Sequence, residues 1–150
     1  MKTQAAILVI ASALPSLVAA TPPDECMAGL REPLLEADFS GPLVCSRSDA
    51  TFAFVGRTAG SGFSVYNYDY RYDPPGGSDV PHGGQRVLVF RGKQYVGQYG
   101  LWSRSAVTVR VRGNHVVLRS NETQRSVELD LSRTPPKEVW LDGEHHSFFR

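Results

Sequence analysis

The chain has 150 residues, with 16 basic against 15 acidic side chains and a formal net charge of +1. That length accommodates one ordinary domain and excludes two. The near-balance of charge excludes a strongly basic footprint, so neither nucleic acid nor an anionic membrane is expected as the main partner.

The first 20 residues, MKTQAAILVIASALPSLVAA, read as a secretory signal. Lys2 supplies the positive start, and Ala5 to Leu14 form an apolar run too short to span a bilayer. Val18 and Ala20 then occupy the positions a signal peptidase reads. Cleavage after Ala20 also removes Lys2, leaving 15 basic and 15 acidic residues on a neutral, periplasmic or secreted chain with no membrane anchor.

Cys26 and Cys45 are the only cysteines and both lie in the exported part. In an oxidising compartment such an isolated pair is expected to form one disulfide, contributing roughly 3 kcal/mol on the chain-entropy model. Lipid attachment to Cys26 is disfavoured, because PPDE precedes it where a lipoprotein signal has small apolar residues. Residues 21–49 otherwise follow no regular pattern. A short helical turn is expected around Cys26 to Leu30, limited by Pro33.

From Ala50 onward the pattern becomes β: short alternating runs punctuated by Gly, Pro, Asn and Asp, with no apolar stripe of helical pitch. Ser61, in AGSGF, reads as a turn residue, since its glycines lack the spacing of a hydrolase elbow. Tyrosine then recurs at 66, 68, 70 and 72, so four of the six tyrosines share one face of a strand, opposite Val65, Asn67, Asp69 and Arg71. Four buried hydroxyls would each need a partner. The expectation is therefore graded: Tyr66 and Tyr68 join the core near Phe63, while Tyr70 and Tyr72 emerge at a rim. The adjoining segment 73–84, DPPGGSDVPHGG, is too rich in Pro and Gly for a strand and reads as a functional loop.

The run RVLVFRGKQYVGQYGLW folds back at Gly92 and is apolar on both faces, with Leu88, Phe90, Tyr95 and Tyr99 set against Val87, Val89 and Val96. Such a pair is central in its sheet or covered on one side. In AVTVRVRGNHVVLR, Gly113-Asn114 is a type II′ signal that sets Arg112 opposite His115 and Val111 opposite Val116. Val107, Val109, Val111, Val116 and Leu118 then share the inner face. Arg110, Arg112 and Arg119, with His115, form an outward basic strip. RSVELDL extends the apolar face with Val127, Leu129 and Leu131, and its outward Glu128 and Asp130 are expected to pair with those arginines. Beyond TPP, Asp142-Gly143 predicts a type I′ hairpin with Val139, Leu141, His146 and Phe148 on one face and Trp140, His145 and Phe149 on the other.

Catalytic chemistry finds little support in these residues. His145 and His146 are adjacent and point to opposite faces of a strand. Glu144 and His146 could form at most half of a metal site, and no metal or other cofactor is expected. Asp69 and Asp73 are the one carboxylate pair near a plausible carbohydrate platform. The glycine pairs 76–77 and 83–84 lack the ending of a phosphate loop. Asn121-Glu122-Thr123 matches a glycosylation sequon.

About eight or nine short strands joined mostly by tight turns predict an all-β domain over 50–150, an antiparallel meander forming a small barrel or two-sheet sandwich, preceded by a short irregular or helical segment. The expected role is non-catalytic binding of a protein or glycan of the cell envelope, of inhibitor or immunity type. The candidate residues are Tyr70, Tyr72, Asp73 and His82, together with Arg110, Arg112 and Arg119. The competing readings are a carbohydrate-active enzyme using Asp69 and Asp73, and a barrel carrying an apolar ligand.

Overall fold

The structure is a computed structural model that describes residues 23–46, 48–73, 76, 82–101 and 106–150. The expected signal segment, 1–20, and most of the Pro-Gly loop lie outside the described residues. A 3-10 segment, Pro23–Gly29, precedes the short helix α1, Arg31–Glu36. The turn expected around Cys26 to Leu30 falls on this 3-10 segment, which is kinked, with non-helical dihedrals at Cys26, Met27 and Ala28, and which ends at Gly29, before Pro33. Pro33 lies instead inside α1. It falls in the first turn, where its missing amide proton has no intrahelical role.

Nine strands follow among the described residues: β1 (Ala50–Arg57), β2 (Phe63–Tyr72), β3 (His82–Arg91), β4 (Gln94–Leu101), β5 (Val107–Arg112), β6 (His115–Ser120), β7 (Ser126–Asp130), β8 (Glu138–Leu141) and β9 (Glu144–Phe149). They form two antiparallel sheets, one in the order β1-β2-β3-β4-β9-β8 and one in the order β5-β6-β7. The sheets do not close into a barrel. They face each other as a sandwich, the meander crossing to the small sheet after β4 and returning with β8.

The turn chemistry sets the hairpin registers. Gly113 has φ 57° with no positive φ at Asn114, the type II′ pattern, and Arg112 pairs with His115. Asp142 and Gly143 both have positive φ, 55° and 81°, as type I′ requires, and Leu141 pairs with Glu144.

Two cores lie on opposite faces of the large sheet. Between the sheets, Phe63, Val65, Val87, Val89, Tyr99 and Leu101 meet Val107, Val116, Leu118, Leu129 and Leu131, with Val139 and Leu141 closing one side. On the other face, Met27, Leu30 and Leu34 cover Tyr68, Tyr70, Leu88, Phe90 and Tyr95. The Cys26–Cys45 disulfide ties this N-terminal strap into a loop. Strands β3 and β4 are therefore both central and covered, which is why each carries apolar residues on both of its faces.

Tyr99 lies on the inter-sheet face, not with Tyr95 as simple alternation predicts. The register shifts between Val89 and Phe90, which pair with Gly97 and Tyr95, so Val96 is an extra residue. That bulge reverses the parity of everything after it in β4.

Candidate functional site

The tyrosine ladder is graded, but not where alternation alone put the boundary. Tyr68 is fully buried under the strap. Its hydroxyl donates to the Pro42 carbonyl at 2.8 Å and accepts from the Val44 amide at 2.9 Å. Burial raises its pKa, partly offset by the Val44 bond. Tyr70 is only 5% exposed and is not a rim residue. Its ring lies over Gly84, where a Cβ would sit 2.8 Å from the hydroxyl oxygen. Arg86 Nε donates to that oxygen at 3.0 Å. Tyr66 and Tyr68 do not pack near Phe63 either, because Phe63 has the opposite parity and belongs to the inter-sheet core.

Arg86 is a buried cation that the sequence pattern did not single out. Its Nη1 donates to the Ser40 carbonyl at 2.7 Å and to Gln98 Oε1 at 2.8 Å. Its guanidinium lies 5.6 Å from the ring centroids of Phe39 and Tyr70. Gly41 packs against the guanidinium, with Cζ 3.0 Å from where a Cβ would be. The strap thus closes over Arg86 through its backbone and one aromatic ring.

What remains open at this end is Tyr72, 37% exposed, paired across the ladder with His82. Their ring centroids are 5.8 Å apart, and Tyr70 braces Tyr72 from beneath at 6.1 Å. Asp73 and His82 are exposed. Three of the four candidate residues at this end therefore form a surface, and the fourth supports it.

The basic strip is elsewhere. Arg110, Arg112, Arg119 and His115 are exposed on the outer face of the small sheet, so both sheets separate them from Tyr72. Glu128 and Asp130 do not stand beside Arg110 and Arg112. The registers set Arg110, Val117 and Glu128 in one row and Arg112, His115 and Asp130 in another, with β6 between base and acid. The Asp130 carboxylate is held below its usual range mainly by the Ser132 amide, which donates to it at 2.8 Å.

Asp69 and Asp73 do not make a carboxylate pair. They stand four positions apart along extended chain, about 13 Å, beyond the spacing of either glycosidase geometry. Asp69 lies on the inter-sheet side, where Asn67 Nδ2 donates to its Oδ2 at 2.6 Å. Its neighbour Gln85 clamps the two sheets, accepting from the Val107 amide at 2.8 Å and donating to Asn67 Oδ1 at 2.9 Å. Burial raises the Asp69 pKa, and the Asn67 bond opposes it.

Ser61 is a turn residue, its hydroxyl 2.7 Å from that of Thr58. His146 is buried with Nδ1 3.0 Å from the Gly100 carbonyl, while Glu144 is exposed. Among the described residues no three His, Cys, Asp or Glu side chains converge. An open groove of about 660 Å³ runs between α1 and the β3–β4 turn, with Glu36 and Asp38 on one wall and Lys93 and Arg150 on the other.

Two exposed aromatics lie outside the expected set. Phe54 on β1 is 59% exposed and Trp140 on β8 is 63% exposed. Both sit on the terminal strands of the large sheet, a position that alternation along the chain does not encode. Comparison with protein-family models, with curated proteins and with solved structures finds no match to this chain.

Proposed function

We propose that this chain is an exported, disulfide-tied β-sandwich that acts by binding a protein or glycan of the cell envelope, in the manner of an inhibitor or immunity protein. The observation that carries the reading is the braced pair Tyr72–His82. Two exposed rings are presented at the end of a rigid strand pair, beside the exposed carboxylate of Asp73. Tyrosine offers a broad amphipathic surface with little side-chain entropy to lose, and bracing by Tyr70 removes more of that cost before any partner arrives.

The test is competition. Tagged protein is incubated with envelope extract, and untagged variants compete for whatever is captured. Combined replacement of Tyr72 and His82 by Ala is expected to abolish competition while thermal unfolding shifts little. Tyr70→Ala is expected to lower stability clearly. A double variant that competes as well as the native chain would remove this surface from the function.

A further inference from the structure

Strand β1 is a terminal strand of the large sheet, and its exposed edge has a specific shape. The Arg71 amide donates to the Asp49 carbonyl at 2.7 Å. In an antiparallel ladder this bond orients every odd residue of the following stretch toward β2 and every even one away. The amides and carbonyls of Phe52 and Phe54 therefore point outward, and among the described residues they meet no backbone partner. Ala50 is different, since its amide is already taken by the Ser46 carbonyl at 2.9 Å. On the other side the ladder shifts between Phe54 and Gly56, which turns Gly56 back toward β2. The open edge is thus Thr51 to Val55.

Its side chains are as informative as its backbone. Phe52, Phe54 and Tyr66 form a continuous aromatic stripe on one face, with centroids 5.0 Å apart for Phe52–Tyr66 and 5.3 Å for Phe54–Tyr66. On the other face Thr51 and Ala53 are small and exposed. No Lys, Asp, Glu or Pro interrupts Ala50 to Val55, so the edge carries no charged or proline guard along this stretch, and only the bulge at Val55 ends it.

We propose that this edge is a homodimer interface, in which a second copy of the chain pairs antiparallel with β1 across a two-fold axis at Ala53. The free hydrogen-bonding groups select that register. Centred on Ala53, Phe52 of each copy faces Phe54 of the other, and both outward residues exchange both of their bonds. Centred on Phe52, Phe54 would face Ala50, whose amide is occupied. Centred on Phe54, Phe52 would face Gly56, which points the wrong way. The Ala53 register also joins the two aromatic stripes into one and brings the small side chains together on the opposite face, a self-complementary patch of the kind a two-fold interface needs.

Disulfide trapping tests the axis itself. In a non-hydrogen-bonded pair the two Ala53 Cα atoms lie about 4.5 Å apart, within reach of a disulfide. Ala53→Cys, with Cys26–Cys45 intact, is expected to form a covalent dimer under mild oxidation. Thr51→Cys is not, because the two copies of Thr51 lie about 13 Å apart in this register. Sedimentation equilibrium of the otherwise native chain is expected to show a concentration-dependent dimer. Phe54→Lys should weaken it about a hundredfold, roughly tenfold at each of the two equivalent contacts, with an unchanged circular dichroism spectrum. A chain that stays monomeric at all concentrations overturns the proposal, as does a dimer that Thr51→Cys traps as readily as Ala53→Cys.

Discussion

Tyr68 and Tyr95 are both buried phenols in the core beneath the strap, yet their hydroxyls stand in opposite situations. Tyr68 holds the strap by two hydrogen bonds to the backbone of Pro42 and Val44. Replacing it by Phe leaves a carbonyl and an amide without their partner and is expected to cost about 1–3 kcal/mol. The Tyr95 hydroxyl has no hydrogen-bond partner among the described residues, and burial drives its pKa well above the usual phenol range. Tyr95→Phe is therefore expected to leave stability unchanged or to raise it. Denaturant unfolding of the two variants, which differ from the native chain by one oxygen each, checks both statements. The periodic spacing of the tyrosine ladder already implied that the Tyr68 hydroxyl, once buried, needed partners. It could not say which backbone groups would partner Tyr68, because Pro42 and Val44 lie more than twenty residues away in an irregular segment.

The strap has only a kinked 3-10 segment and the short helix α1 as secondary structure of its own. It owes its order to three attachments: the disulfide, the Tyr68 bonds, and the burial of Met27, Leu30 and Leu34 against the large sheet. Replacing Cys26 and Cys45 together by Ala is expected to lower stability by about 3 kcal/mol in denaturant titration, from the loss of loop constraint. The same change should make amides of residues 27–44 exchange with solvent faster than those of β2 and β3. The β4 bulge shows the same limit of local reading. One unpaired residue at Val96 moves Tyr99 to the other core, and Gly97 leaves the space that the Phe148 ring fills, its Cζ 2.5 Å from where a Cβ would be. Hairpins with Gly-Asn and Asp-Gly turns were readable, since two residues set the pairing. A bulge has no comparable sequence mark.

Across the whole sandwich, the polar end between the sheets is where acidity should be felt. Asp69 stands there beside Asn67 and Gln85, and burial outweighs the Asn67 bond to raise its pKa above the ordinary carboxylate value. A raised folded pKa means the folded state favours the protonated group. The contribution of Asp69 is thus most favourable below its unfolded pKa and is lost as pH rises through the folded one. Asp69→Asn is expected to match the native chain in acid and to melt a few degrees higher at neutral pH. Thermal unfolding followed across the carboxylate range measures the convergence.

An all-β class, the hairpin registers, the disulfide and the start of the strand region at Ala50 were all determined by the amino-acid sequence alone. Alternation and turn chemistry act between residues that are near one another along the chain, and two cysteines leave one pairing. The tertiary structure decided what covers each face and which strands end a sheet. It buried Tyr70 beneath the strap, put the arginine strip and Tyr72 on opposite outer surfaces, and left β1 with an open edge. Parity tells which side chains share a face, but exposure depends on what packs against that face, and here the covering layer comes from a remote segment that carries no period.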